Sequence, residues 1–189
     1  NALNAVLGNS QSSASIRFSS PSENYMLQVA TTAISQYTPT YSMLKSSTDL
    51  NGGTLQPGDV LRYRIDYQNN GNDASTNTII YDNIPTGATY LPGSLVINGA
   101  ARTDATADDP AEYDVTNNRV IFRLGTGANG STGGELAIGA TGYITFDVYT
   151  ASSCVLNTCN NTLVNSARID YLGKLSGIAL YDSSGIWGS

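Results

Sequence analysis

The sequence predicts an all-β protein, a sandwich of two antiparallel sheets. Three observations predict it. In residues 55–71, LQPGDVLRYRIDYQNNG, the positions Leu61, Tyr63, Ile65 and Tyr67 alternate with Arg62, Arg64 and Asp66. That is the period of a strand with one buried and one wet face. The same alternation recurs in YITFDVY at 143–149 and LVNSARIDY at 163–171. Nowhere does the chain carry the 10–15-residue helical pattern an αβ fold needs.

Taken in order, residues 1–40 read as an N-terminal arm. Residues 1–15 are small and polar, and strand-like runs follow at 16–19 and 25–34, separated by Ser20-Pro21-Ser22. Tyr25, Leu27 and Val29 fall on one face of the second run. They are candidates for a donor strand, which covers an edge of its own domain or adds to a neighbour's sheet.

The main domain is expected at 41–172. Its strands are predicted at 41–47, 61–67, 76–84, 89–97 (with a Pro92-Gly93 turn or bulge inside), 119–124, 135–138, 143–149 and 163–171. Residues 98–118 read as a long acidic loop. A tail at 173–189 carries a weak strand at 177–181, with Leu180 and Trp187 as its packing residues.

Composition narrows the function. The chain has 189 residues, enough for one all-β domain with a core of its own. A net charge of −6 argues against a nucleic-acid partner, because no basic patch could neutralise phosphates. No apolar run approaches the ~20 residues of a membrane span. There is no histidine, which removes the commonest general base and metal ligand. The first residue is not Met, which we read as a processed or excised piece, with a signal peptide removed. No cofactor is implied.

The only cysteines are Cys154 and Cys159. They read as a disulfide in an oxidising, extracytoplasmic compartment, or as two free buried thiols. Asp104, Asp108, Asp109, Glu112 and Asp114 are the only acidic cluster that could interest calcium. Their spacing matches no EF-hand, and a solvated acidic loop is the simpler reading. Asn129-Gly130-Ser131 and Asn160-Asn161-Thr162 fit the short N-glycosylation pattern, which carries little weight by itself.

Four stretches in this order resemble a known family: LQPGDVLRYRIDYQNNGN, IIYDNIPTGATYLPGSLVINGA, GGELAIGATGYITFDV and NTLVNSARIDY. Together they resemble the prokaryotic "conserved repeat" surface domain, catalogued as domain of unknown function eleven, across about 41–172. The resemblance implies an immunoglobulin-like sandwich in an extracellular surface protein, with self-association or neighbouring surface domains as partners.

The direction of three polar side chains adds chemistry. Tyr41, Met43 and Lys45 share a face; Ile80, Asp82 and Ile84 share another; Leu163, Asn165, Ala167, Ile169 and Tyr171 share a third. A lysine, an aspartate and an asparagine thus each sit among apolar neighbours, where burial of any one alone is costly. They form either a hydrogen-bonded trio or, as in surface sandwiches this chain resembles, a Lys45–Asn165 isopeptide bond assisted by Asp82. The lysine could also snorkel out to solvent.

The expectation is therefore a non-enzymatic structural module of a cell-surface fibre or adhesin, with an N-terminal arm that offers polymerisation by strand addition. The alternative is a monomeric module of a secreted protein that binds carbohydrate or protein. A secreted hydrolase is disfavoured, because no motif positions a carboxylate pair.

Overall fold

The computed structural model describes residues 36–151 and 163–185, the backbone of 187–188, and positions 13, 15, 19, 21 and 22. The runs at 16–19 and 25–34 with Tyr25, Leu27 and Val29, and the pair Cys154 and Cys159, lie outside the described residues. The chain divides into two compact units, Asn1–Gln36 and Tyr37–Ser189, and every strand below belongs to the second.

Fourteen strands are described and, among the described residues, no helix. They are β1 (Tyr41–Asp49), β2 (Val60–Asn69), β3 (Ser75–Asn83), β4 (Ala88–Tyr90), β5 (Val96–Ile97), β6 (Ala100–Ala101) and β7 (Ala111–Asp114). Then come β8 (Arg119–Leu124), β9 (Gly134–Leu136), β10 (Thr141–Thr150), β11 (Val164–Asn165), β12 (Ala167–Gly173), β13 (Ala179–Ser183) and β14 (Trp187–Gly188). The first sheet runs β1-β2-β10-β5-β6, with β4 also on β10; the second runs β13-β12-β3-β8-β7, with β9 also on β3. β11 and β14 form a separate two-stranded ribbon. All pairings are antiparallel.

The alternation in the sequence becomes the two inner faces. Leu61, Tyr63, Ile65 and Tyr67 of β2 meet Ile144, Phe146 and Val148 of β10 on one side of the core. Ile80 of β3, Val120, Phe122 and Leu124 of β8, and Ala167, Ile169 and Tyr171 of β12 form the other. The outer face of the first sheet is wet and ionic: Arg62 grips Asp147 through two hydrogen bonds at 2.7 and 2.8 Å, and Arg64 grips Asp66 at 2.8 and 2.6 Å.

Some boundaries differ from the expectation. The run at 89–97 splits into β4 and β5 because the Pro92-Gly93 turn interrupts it. The segment 98–118 is not simply a loop: β6 pairs with β5, and β7 pairs with β8 as a hairpin. Its acids serve that turn, where Asp114 accepts from the backbone and side-chain amides of Asn117. The run at 163–171 divides into β11 and β12, and the tail contributes both β13 and β14.

One end of the sandwich is tied by Asn69, which is fully buried. Its Oδ1 accepts from the backbone N–H groups of Thr40 (3.3 Å) and Gly71 (3.0 Å). Its Nδ2 donates to the carbonyls of Asp73 (2.9 Å) and Ala137 (3.3 Å). The chain crosses itself tightly here: a Cβ on Gly71 would stand 2.3 Å from the Thr38 carbonyl oxygen, so only glycine fits. Asn69→Ala orphans these buried backbone groups and is expected to cost about 2–3 kcal/mol. Urea unfolding reads this; a loss below about 0.5 kcal/mol would mean that water replaces the side chain.

Candidate functional site

Lys45, Asp82 and Asn165 all point into the core, at 1%, 0% and 5% exposure. Lys45 sits opposite Ile65 in the β1–β2 ladder and projects from the first sheet. Asp82 lies near the end of β3 in the second sheet, flanked by Ala167 of β12 and Val120 of β8. Asn165 lies two residues before Ala167. Strand parity therefore turns it to the same inner face.

The Lys45 Nζ and the Asp82 Oδ2 are in direct contact. The Tyr63 ring centroid lies 4.5 Å from Nζ and the Phe146 centroid 5.5 Å, so aromatic rings wall the amine from water. Asn165 stands close enough to Asp82 for its amide to favour the carboxylate. The approach does not close a hydrogen bond, however. Asp82 Oδ1 and Asn165 Nδ2 are both buried, and neither has a hydrogen-bond partner among the described residues.

Burial dominates the protonation of this pair. It pushes the Asp82 carboxyl up to about 6, against the pull of Lys45 and then Asn165. It pushes the Lys45 amine below the ordinary lysine range, with Asp82 opposing. Both shifts favour the uncharged forms, a free amine beside a protonated acid. The choice of lysine is informative. Of nine basic residues only Lys45 and Lys174 are lysines, and the surface ion pairs mostly use arginine. A guanidinium stays charged at any relevant pH; a buried amine can become a nucleophile.

The five loop acids do not converge. Asp104 accepts from the Tyr90 hydroxyl and the Gly93 N–H, while Asp108 and Asp109 bind Thr103. Glu112 is buried against Arg123 at 3.1 Å, and Asp114 holds Arg119. Each carboxylate is committed locally. Among the described residues, no three His, Cys, Asp or Glu side chains form a metal-holding group.

Sequence reasoning missed two parts of the arrangement. One is the aromatic wall, which depends on knowing that Tyr63 pairs with Phe146 across β2 and β10. The other is Asp182 of β13, which accepts from the Tyr41 N–H (2.7 Å) and the Tyr171 hydroxyl (2.6 Å) and so joins β1 to the second sheet.

These two packed antiparallel sheets define an immunoglobulin-like sandwich of the kind found in pilin domains. The full-length major pilin SpaD of Corynebacterium diphtheriae superposes with a TM-score of 0.53 at 13% identity, over 78% of this chain and 35% of that one. Domains D2 and D3 of the same pilin give 0.50 at 14% identity, over 78% and 51%. The T6 backbone pilin of serotype M6 Streptococcus pyogenes gives 0.50 at 15% identity, over 76% and 35%. The chain thus spans about a third of the length of the two whole pilins it matches. No protein-family model and no curated protein matches its sequence.

The pH dependence of stability follows from Asp82. Its pKa is about 6 in the folded chain and ~3.9 in an unfolded one, so the folded state binds the proton more tightly. Its stabilising contribution is complete below the unfolded value and is lost as pH rises through the folded one. Asn165→Ala leaves the Lys45–Asp82 contact in place and removes one influence that lowers the Asp82 pKa. Relative to Asn165→Ala/Asp82→Asn, it should lose stability between about pH 4 and pH 7. Urea midpoints across that range test this; parallel curves would mean that Asp82 titrates as a solvated carboxylate.

Proposed function

We propose that this chain is a non-enzymatic structural module of an extracellular bacterial surface fibre or adhesin, braced by one self-formed isopeptide bond between Lys45 and Asn165. The observation that carries this reading is the buried trio with its two orphaned atoms. A buried amide nitrogen without a partner is costly in a folded core. Here that nitrogen, Nδ2, is the atom the reaction removes.

The chemistry balances without a cofactor. The neutral Lys45 Nζ attacks Cγ of Asn165, while protonated Asp82 donates to Oδ1. The Cγ–Nδ2 bond then breaks as Asp82 passes the proton shed by Nζ to the departing nitrogen, and Oδ1 returns its proton to Asp82 as the carbonyl re-forms. An amide joins Nζ to Cγ and ammonia leaves. The event occurs once per chain.

The sandwich shared with pilin domains supports the surface-fibre part. Partners in this reading are copies of the chain or neighbouring surface domains.

Intact mass after reduction is the test. The folded wild type should weigh one ammonia less than its sequence, and Asp82→Ala, Lys45→Arg and Asn165→Ala should each restore the full mass. A folded wild type at full mass would remove the bond and leave only a packed polar trio.

A further inference from the structure

The electrophile of the trio is not held by the main sheet. The β12–β3 ladder stops at Ala167↔Asp82, and beyond it the Ile84 N–H turns away to the Asn118 carbonyl. Asn165 instead pairs with Trp187, and Val164 with Gly188. The chain reaches that pairing through a defined junction. Ser184, itself buried, locks onto Ala167: its N–H donates to the Ala167 carbonyl and its Oγ accepts from the Ala167 N–H, each at 3.0 Å. Gly185 then takes φ +72°, and the chain resumes pairing as β14. β13 and β14 are therefore one interrupted strand that follows β12 and β11 past the end of the sheet.

The Asn165 side chain has no hydrogen bond on Nδ2, so its backbone must aim it. We propose that β14 is the positioning element of the cross-linking reaction: its pairing with β11 fixes the Asn165 backbone and presents Cγ to Lys45. This rests on the isopeptide reading above. The last residues of the chain then act through Asn165, without touching the reacting atoms. Small misplacements of a reacting group weigh heavily, about a hundredfold in rate for ~1 Å.

The junction offers a clean perturbation. A side chain at Gly185 would meet nothing within 4 Å, so only the positive φ opposes substitution. Valine resists that conformation and asparagine tolerates it. The experiment follows intact mass over time in chains made by cell-free synthesis: wild type, Gly185→Val, Gly185→Asn, and a chain ended at Ser184. Ammonia loss should be about a hundredfold slower in Gly185→Val and in the shortened chain, by the same factor at every pH. Gly185→Asn should restore the rate, and far-ultraviolet circular dichroism, which reads the sheets and not Trp187, should match the wild type in all four.

A wild type that never loses ammonia refutes the isopeptide reading itself. A wild type that reacts while both perturbed chains keep pace refutes only the role of β14. Loss of the far-ultraviolet β-sheet signal in both perturbed chains would make β14 a folding element and equally overturn the proposal.

Discussion

A core closed to water cannot hold an ammonium and a carboxylate cheaply. Lys45 and Asp82 are both essentially without solvent contact, and they meet across the gap between the two sheets. Removing one partner of such a buried pair strands the other, typically at about 3–5 kcal/mol. The pair therefore fixes how β1 lies over β3. A one-residue slip of β1 would turn Lys45 outward and bring Leu44, now more than half exposed, into its place. The rings of Tyr63 and Phe146 then complete a pocket in which proton transfer from amine to acid lowers the electrostatic cost.

Two other polar groups of the core are handled differently. Asn69 is surrounded by backbone partners and needs no charge. Asp182 accepts from Tyr41 and Tyr171, whose rings meet edge-on at 4.9 Å. These satisfied clusters sit where the chain crosses between sheets or closes an edge. The trio keeps orphaned atoms on Asp82 and Asn165, as does the buried Glu112–Arg123 pair of the β7–β8 hairpin. What sets the trio apart is its composition, since it alone places a buried lysine amine in contact with a buried acid beside an amide.

The fold was legible because alternation is a strong signal in strands with one wet face. Leu61, Tyr63, Ile65 and Tyr67 are all buried, as the period of two requires. The inward direction of Lys45, Asp82 and Asn165 was legible for the same reason, since each shares parity with apolar neighbours. Pairing between distant strands was not legible, so the aromatic wall from β2 and β10 and the clasp at Asp182 escaped notice. Composition misled at 98–118, where charge suggested a solvated loop. Glu112 is buried there because Arg123 on the adjacent strand neutralises it. β14 was invisible for another reason: two residues carry no period at all.

The positions of Lys45 and Asn165 along the chain have a mechanical meaning. β1 opens the sandwich, and β11 stands just before its last long strand. With an amide joining them, tension entering at residue 37 passes through Lys45 directly to Asn165 and leaves through β12. The strands from β2 to β10 lie on a closed loop outside that path. Stretching the module would strain covalent bonds along the short route, while most of the hydrogen-bonded ladders carry no force.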